Sequence, residues 1–258
     1  MLKNYLKEKI DAREKTVGTF FEMGNATVAE AIAMSNLDYI LIDTEHGPFD
    51  VESTMDLIRA AQLHNMSSLV RVKDSSRPSI LKMLDIGAAG LVIPHVQSIE
   101  EINSIVEYGK YFPVGNRGVA FSRGAGFGYA EHAQADINDY FDYCNRETLI
   151  IPQCETLGCL ENIEEIAKVE GIDGIFVGPY DLSVAMGIPT QFDKPQFKAA
   201  LERILKAVKS AGKFVIIYCA TPELANFRFE QGFDSATIGQ DVNMYVDAVN
   251  EMVSKVNK

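Results

Sequence analysis

The sequence alternates short apolar runs with amphipathic helical segments, and this alternation recurs eight times along 258 residues. A continuous apolar run is typical of a parallel strand whose two faces are both covered by helices. Eight strand–helix repeats in a chain of this length predict one domain over residues 1–258 with the architecture of a (β/α)8 TIM barrel. The predicted strands are residues 17–23, 38–43, 68–72, 90–94, 149–153, 173–177, 214–218 and 234–238.

The helical segments include an extra helix before the first strand, over residues 4–14, and a last helix with an apolar face over residues 242–256. A doubly wound open sheet is the alternative architecture. No G-x-G-x-x-G or P-loop string follows a predicted strand, which disfavours a nucleotide-binding version of that sheet. The other predicted helices are residues 26–36, 50–65, 78–87, 99–111, 136–147, 157–169, 199–211 and 222–231.

A glycine-rich segment over residues 112–131 is too long for an ordinary connection, so we expect it to be functional or mobile. It carries Arg117 and Arg123, and it fits a lid over the site or a solvated loop equally well.

The net charge of -12 disfavours nucleic acid, whose phosphates need clustered Lys and Arg, and an anionic membrane surface. The start of the sequence is polar and unlike a secretory signal, and no apolar stretch reaches the ~18 residues of a membrane-spanning helix. Cys144, Cys154, Cys159 and Cys219 form no C-x-x-C pair and lack histidines at zinc-finger spacing. We therefore expect a cytoplasmic protein with free thiols and with no nucleic-acid or membrane partner.

Two carboxylates follow neighbouring predicted strands. Glu155 comes after strand five and Asp181 after strand six. In a (β/α)8 barrel the chemistry lies at the carboxyl ends of the strands, so these two side chains are expected at the same mouth. Two oxygen ligands at such a mouth suit a hard divalent cation. The alternative is that both are solvated loop acids.

Strands two and three contribute a possible base and a cation to the same mouth. His46 is a candidate base whose tautomer Asp43 or Glu45 would fix, although a loop histidine bonded to Asp43 fits as well. Arg71 lies in an apolar strand and must be paired or bind an anion. The structural alternative for Arg71 is an ion pair with Asp85 or another acid. Asp85 itself lies near a helix end, where capping or pairing with an arginine is its first expected role.

Several strings resemble one known family, in order and with compatible spacing over nearly the whole chain. The family is that of the HpcH/HpaI aldolases, which are metal-dependent (class II) pyruvate aldolases acting on 4-hydroxy-2-oxoheptanedioate and 2-keto-3-deoxy sugar acids. L-I-D-x-E-H and G-P-x-D-L-S are specific when they occur together. The strings are L-I-D-T-E-H at 41–46, Arg71, L-D-I-G-A at 84–88, P-Q-C-E at 152–155 and F-V-G-P-Y-D-L-S at 176–183.

The resemblance implies a role for each matching residue. Glu155 and Asp181 would bind a divalent metal ion (Mg²⁺, Mn²⁺ or Co²⁺), with water and the 2-oxo acid completing the shell. Arg71 would contact the oxo oxygen and stabilise the enolate. His46, with Asp43 behind it, would handle the proton of the substrate hydroxyl. Further residues would contact the 2-oxo acid (Gln153, Gly178, Pro179, Tyr180) or support the site (Glu45, Asp85).

The reaction implied by the resemblance is reversible cleavage of a 4-hydroxy-2-oxo acid to pyruvate, or a close 2-oxo acid, and an aldehyde. A condensing, citrate-synthase-like enzyme using oxaloacetate and an acyl-CoA is one alternative, and a non-catalytic 2-oxo acid binder is another. Two positions depart from the family pattern. Tyr180 stands where several members have a small residue, which predicts a narrower pyruvate end. His95 stands where an apolar residue is often found, and packing or support of the site fits it as well as catalysis.

A Schiff-base aldolase is the mechanistic rival, and it requires a desolvated lysine on a barrel strand. Strand six has none, Lys213 lies at the wrong end of strand seven, and Lys73 is expected to be solvated. The resemblance also implies a homo-oligomer, a hexamer built as a trimer of dimers that exchange their last helices. The apolar face of residues 242–256 fits this exchange and fits packing on its own barrel equally.

Overall fold

Eight parallel strands close into a barrel in the computed structural model, which describes residues 3–256. β1 pairs with β8 in parallel, with Val17 opposite Ala236, so the sheet has no open edge and the predicted (β/α)8 barrel is confirmed. The open-sheet alternative is therefore wrong. The strands are β1 (Thr16–Phe21), β2 (Tyr39–Asp43), β3 (Ser67–Arg71), β4 (Gly90–Ile93), β5 (Leu149–Cys154), β6 (Gly174–Val177), β7 (Phe214–Cys219) and β8 (Ser235–Gln240).

The helices follow the predicted order with two differences. The predicted helix 157–169 is two short helices, because Asn162 leaves helical geometry between them with φ -106° and ψ 13°. The helix that begins at Pro179 was not predicted. The helices are α1 (Tyr5–Asp11), α2 (Ala26–Ala33), α3 (Val51–Gln62), α4 (Arg77–Asp85), α5 (Ile99–Gly109), α6 (Ile137–Glu147), α7 (Leu157–Glu161), α8 (Ile163–Ile166), α9 (Pro179–Ala185), α10 (Pro195–Ser210), α11 (Pro222–Gln231) and α12 (Asp241–Ser254).

Apolar side chains fill the barrel as a packed core, as expected for a closed barrel of eight strands. Leu6 of α1 is fully buried in this core, so the extra helix closes the amino-terminal end of the barrel. A second apolar layer joins the strands to the surrounding helices. All four cysteines are buried and free, as predicted. Within residues 3–256, no helix is long and apolar enough to cross a membrane. The interior residues of the strands include Leu41, Leu69, Val92, Ile151, Phe176 and Ile216.

The glycine-rich segment contains two short 3-10 helices, Arg123–Gly128 and Glu131–Ala133. Arg123 donates to the carbonyl oxygen of Ile86 at 2.6 Å, and Ser122 donates to that of Asp85 at 2.8 Å. Because α4 leads directly into β4, the end of α4 lies at the amino-terminal end of the barrel. The two hydrogen bonds therefore hold the glycine-rich segment at that end. A lid over the mouth of its own barrel is therefore wrong, and the segment is a packed insertion.

The last helix, α12, begins at the mouth and leaves its own barrel. The carboxylate of Asp241 accepts hydrogen bonds from the backbone N–H groups of Glu22 and Met23, both at 3.0 Å. Asp241 is the one residue of α12 described as buried. The apolar side chains of the helix are between 38% exposed at Val242 and 70% exposed at Met252. Packing of this apolar face on its own barrel is therefore wrong, whereas helix exchange stays a prediction.

Candidate active site and metal centre

A cavity of about 220 Å³ opens at the carboxyl ends of the strands. Seven of the predicted site residues line it, and they come from the loop after β2, from β3 and β5, and from the residue before α9 and the first turn of α9. The barrel therefore brings most of the predicted site together. The lining residues are Phe20, His46, Arg71, Gln153, Phe176, Gly178, Pro179, Tyr180, Asp181, Tyr218 and Gln240.

Arg71 forms a buried ion pair with Asp43 at the floor of the mouth. The two residues lie opposite each other in the β2–β3 register. The guanidinium donates from Nε to Oδ1 at 2.9 Å and from Nη2 to Oδ2 at 2.5 Å, and Nε lies 3.3 Å from Oε2 of Glu45. Burial raises the pKa of Glu45, while Arg71 opposes that shift. The structural ion pair expected for Arg71 is thus formed with Asp43 and Glu45 and not with Asp85, and Asp43 accepts two hydrogen bonds from the guanidinium.

His46 is exposed at the rim, and its backbone N–H, not its ring, contacts Asp43, as in the alternative of a loop histidine bonded to Asp43. Oδ1 of Asp43 accepts the backbone N–H groups of Glu45 at 3.0 Å and His46 at 3.4 Å, so this carboxylate is occupied by Arg71 and the loop backbone. The His46 side chain is 71% exposed, and its Nε2 lies 3.9 Å from Oε2 of Glu45. Glu45, the other partner considered, is the acid beside the ring.

Glu155 is a buried carboxylate held by neutral donors. It is 5% exposed, and Oε1 accepts the backbone N–H of His95 at 2.7 Å while Oε2 accepts the amide of Gln153. Burial, together with the nearby charges of Asp181 and Glu45, raises the pKa of Glu155 to about 7, against the opposing effects of the His95 N–H and of Arg71. Among residues 3–256, no Lys, Arg or His forms an ion pair with this carboxylate.

Gly178 keeps the space beside Glu155 open. A Cβ at this position would lie 2.7 Å from Oε2 of Glu155 and 2.8 Å from Nε2 of Gln153, so a larger residue would displace the carboxylate. Asp181 follows on the first turn of α9 and lines the cavity. Oε1 of Gln153 is buried and has no hydrogen-bond partner in the described part of the chain.

These donors fit a hard divalent cation. Glu155 and Asp181 offer only oxygen, which suits Mg²⁺ or Mn²⁺, and the buried charge of Glu155 has no counter-ion of its own. No group of three or more His, Cys, Asp or Glu that could hold a metal occurs within residues 3–256. A metal ion held here would therefore depend on water and substrate for its remaining ligands.

His95 contacts the site through its backbone. It has φ of 56°, in the left-handed region that side chains rarely adopt, and this conformation directs its N–H at Glu155. Its ring is exposed and lies 3.2 Å from the amide nitrogen of Gln97. The structure therefore gives His95 a supporting position, which was one of its two predicted roles.

Asp85 does not lie near the mouth of its own barrel. It ends α4 at the amino-terminal end and accepts a hydrogen bond from Nη2 of Arg117 at 2.8 Å, with Arg117 almost fully buried. Asp85 therefore does not reach the mouth of its own chain, and the supporting role implied by the resemblance stays a prediction. The pairing with an arginine that was expected first is the one observed.

The mouth residues of strands one, seven and eight, and Phe176 of β6, escaped the sequence reasoning, which considered only the ends of strands two to six. Glu22 follows β1, Tyr218 lies in β7, and Gln240 ends β8. Nε2 of Gln240 donates to Glu22 at 3.0 Å, and burial raises the pKa of Glu22. Tyr218 contacts the ring of Tyr180 edge-on, with centroids 5.9 Å apart. Tyr180 therefore narrows the cavity from the side of β7. The strand-end rule, applied to strands one, seven and eight, would have found all three.

Comparison with known proteins decides the family. The model of the HpcH/HpaI aldolase/citrate lyase family matches residues 16–248. The chain belongs to this family. The match runs from the first residue of β1 into α12, so it includes every strand that supplies the mouth of this HpcH/HpaI member.

Individual relatives agree with that assignment. A 2-keto-3-deoxy-L-rhamnonate aldolase of Escherichia coli O9:H4 (strain HS) is 32% identical over 256 residues, covering 98% of this chain and 93% of the relative. A solved HpcH/HpaI aldolase/citrate lyase family protein from Burkholderia cenocepacia J2315 is 29% identical, with a TM-score of 0.90 over 99% of this chain and 100% of its own. The solved citrate synthase SbnG is 28% identical, with a TM-score of 0.86 over 98% of this chain and 97% of its own. This HpcH/HpaI protein is an enzyme, a carbon–carbon lyase.

Proposed function

We propose that the enzyme reversibly cleaves a 4-hydroxy-2-oxo acid into pyruvate, or a close 2-oxo acid, and an aldehyde. The observation that carries the proposal is Glu155, a buried acid in no ion pair with a described Lys, Arg or His, which lies beside Gln153 and Gly178 of the cavity that Asp181 and Arg71 also line. An aldolase relative that aligns over nearly the whole chain supports it. A non-catalytic binder is disfavoured because each group that the chemistry needs has a candidate residue.

Glu155 and Asp181 are the residues that would hold the metal ion (Mg²⁺, Mn²⁺ or Co²⁺). When bound, such an ion acts as a Lewis acid toward the oxo oxygen of the substrate. Gln153 fixes the Glu155 carboxylate from one side and the backbone of His95 fixes it from the other. The site is thus pre-organised by donors that themselves carry no charge.

Arg71 stabilises the charge that develops during cleavage. Breaking the C3–C4 bond leaves an electron pair on C3 that is delocalised to the oxo oxygen, where a positioned cation is most effective. Asp43 holds the guanidinium by two hydrogen bonds, so Arg71 does not reorient during the reaction. Gln153, Gly178 and Pro179 line the same part of the cavity and would contact the 2-oxo acid.

His46 takes the proton of the C4 hydroxyl, directly or through a water molecule. Its ring lies at the cavity rim beside Glu45, which would stabilise the imidazolium that results. Return of the same proton to the aldehyde oxygen in the synthetic direction makes the reaction reversible.

Metal dependence and the absence of a Schiff base test the proposal. EDTA should abolish cleavage, and Mg²⁺, Mn²⁺ or Co²⁺ should restore it. Treatment with pyruvate and borohydride should leave the protein mass unchanged. A trapped adduct on Lys73, or full activity in EDTA, would contradict the metal mechanism.

The similarity to citrate synthase SbnG favours one second candidate, a condensation of oxaloacetate with an acyl-CoA. Release of thiol from the acyl-CoA in the presence of oxaloacetate detects this reaction. Thiol release without aldol cleavage would replace the first proposal by the second.

We also propose that the enzyme is a homo-oligomer, a hexamer formed as a trimer of dimers that exchange α12. The exposed apolar side chains of α12, from Val242 to Val253, support it, since such a surface is usually covered. Light scattering should give the mass of six chains, and deletion of residues 242–258 should reduce it. The cytoplasmic location stays a prediction.

A further inference from the structure

A second cavity, of about 520 Å³, opens at the amino-terminal end of the barrel, opposite the mouth. The starts of β5 to β8 surround it, together with the end of α1 and the last turn of α10. The described lining residues of the two cavities do not overlap, so this cavity is separate from the candidate active site. Its lining includes four cationic side chains, those of Lys7, Arg13, Lys209 and Lys213.

Two carboxylates that line this cavity with Lys213 are already paired with other lysines. Asp173 accepts a hydrogen bond from the ammonium of Lys110 at 2.9 Å, and Asp234 accepts one from the ammonium of Lys209. Both acids therefore have a counter-ion of their own, and neither forms an ion pair with Lys213.

Lys213 is the half-buried amine of this cavity. Its ammonium donates to the backbone carbonyl of Val169 and, within residues 3–256, forms no ion pair. Burial lowers the pKa of Lys213 to about 8, and Lys110 adds to this shift while the charges of Asp173 and Glu170 oppose it. Since the neutral amine is the nucleophilic form, a larger share of Lys213 is reactive near neutral pH than of a solvated lysine.

The approach to Lys213 from the cavity is open. The preceding residue is Gly212, where an added Cβ would meet nothing within 4 Å. Arg13 lines the same cavity, and its guanidinium forms no ion pair in the described part of the chain. A guanidinium without a carboxylate partner attracts anions, and phosphate groups match its geometry particularly well. The cavity thus combines a reactive amine with a cation that can attract an anionic donor.

We propose that Lys213 is an acylation site and that its donor is a small acyl phosphate, which Arg13 attracts through the phosphate group. The ammonium first gives a proton to water, and the lone pair of Nζ then attacks the acyl carbon. The new C–N bond replaces the C–O bond to phosphate, which leaves with that electron pair as inorganic phosphate. A second proton passes from the nitrogen to solvent. The resulting amide keeps one N–H, which can still donate to the carbonyl of Val169.

Acylation at this position is independent of the reaction at the mouth. Lys213 lies just before β7, at the opposite end of the barrel from Glu155 and Asp181. A ketone such as pyruvate forms only small amounts of imine with a free amine in water, so the borohydride test of the mouth is unaffected. We therefore expect the acylated enzyme to keep its kcat for cleavage.

Site-resolved acylation kinetics test the proposal. The purified enzyme is incubated with acetyl phosphate at pH 7.5, and peptide mass spectrometry follows each lysine. Lys213 should react at least about tenfold faster than Lys206, an exposed lysine of α10, because its larger neutral fraction outweighs the lower nucleophilicity of a weaker base. The rate at Lys213 should level off above its pKa of about 8, whereas the rate at Lys206 should continue to rise. Equal rates at the two lysines, or parallel pH profiles, would overturn the proposal.

Two variants separate the reactive amine from the attraction of the donor. Lys213→Arg keeps the positive charge and should remove the fast-reacting site. Arg13→Gln should slow the reaction of Lys213 with acetyl phosphate by about threefold to tenfold, because the attraction of the anion is lost. It should not slow the reaction with N-acetoxysuccinimide, which carries no charge. Arg59→Gln, in an exposed position of α3, is the matched control and should change neither rate.

The choice of donor has its own contradicting outcomes. An unchanged rate with acetyl phosphate in Arg13→Gln would overturn the role of Arg13. A faster reaction of Lys213 with acetyl-CoA than with acetyl phosphate would overturn the assignment of an acyl phosphate as the donor.

Discussion

Two carboxylates at opposite ends of the same pair of strands have different surroundings. Asp173, just before β6, accepts the ammonium of Lys110 at 2.9 Å and the backbone N–H of Ile150 at 2.8 Å. Glu155, just after β5, accepts the backbone N–H of His95 and the amide of Gln153. One acid therefore has a built-in cation, and the other has only neutral donors.

The difference separates an acid that holds the barrel together from one that is available to a ligand. Burial raises the pKa of both groups, but the main opposing influence at Asp173 is the charge of Lys110, whereas at Glu155 it is a neutral amide. Asp181 and Glu45 push the pKa of Glu155 upward as well. A buried acid that lies near two other acids and forms no ion pair is stabilised in its charged form by a bound cation, which is the property of a metal ligand.

The largest expected effect comes from removing the charge of each of the two carboxylates in turn. Glu155→Gln should reduce metal-dependent cleavage by about 1,000-fold or more, because Lewis-acid stabilisation contributes several kcal/mol. Its melting temperature without metal should not fall, since the variant removes an unpaired buried charge. Asp173→Asn is the matched control. It should keep activity but lose about 3 kcal/mol of unfolding free energy, because Lys110 would be left buried without its carboxylate. A reversal of these two phenotypes would refute the distinction.

A substitution at Arg71 tests the buried ion pair between Arg71 and Asp43 inside the mouth. Arg71→Lys should lower kcat for cleavage by about 100-fold while preserving the fold, since an ammonium cannot make the bidentate contact with Asp43. Steady-state kinetics and circular dichroism measure the two properties. A kcat within threefold of wild type would show that any positive charge at this position suffices.

The pH dependence of stability sharpens the assignment of Glu155. The folded pKa of about 7 lies above the unfolded value of 4.5, so the folded state binds more protons than the unfolded state between these values. In EDTA, the contribution of this group to stability is therefore full below pH 4.5 and is lost as the pH rises through 7, by up to about 3 kcal/mol. Urea denaturation of wild type and Glu155→Gln at pH 5 and pH 7.5 measures it. An exposed Glu161→Gln control should follow the wild-type curve, and a Glu155→Gln curve parallel to wild type would contradict the shift.

The smallest expected effect concerns the backbone donor to Glu155. His95→Gly should retain metal affinity, because glycine adopts positive φ freely. His95→Val should weaken metal affinity by about tenfold, because a β-branched residue is strained by about 1–2 kcal/mol in this region. Calorimetric titration compares the two variants. Equally weakened binding in both variants would assign the role to the imidazole ring instead of the backbone.

The sequence predicted the barrel and most of the mouth because both depend on local patterns. Continuous apolar runs specify buried parallel strands, and the residue after each run lies at the mouth by topology alone, as for Glu155 and Asp181. The short helix α9 was missed, because seven residues beginning at a proline leave little helical periodicity to detect.

The differences from expectation concern contacts that only the assembled chain defines. Asp43 was placed behind the His46 ring, but Arg71 lies directly opposite Asp43 across the β2–β3 register and occupies its carboxylate. Asp85 ends α4, a position that the alternation of strand and helix puts at the other end of the barrel, so one chain alone does not bring it to the mouth. Strand register and side-chain direction determine which of these residues come into contact. Neither can be inferred from the spacing of residue types along the chain.

Direct metal binding tests the central distinction most closely. Titration of the metal-free wild-type protein with Mn²⁺, followed by calorimetry at pH 8, should show one site per chain, and the site should disappear in Glu155→Gln while Asp173→Asn keeps it. Equal binding of Mn²⁺ by wild type and Glu155→Gln would contradict the account, because the acid without a counter-ion would then not be the metal ligand.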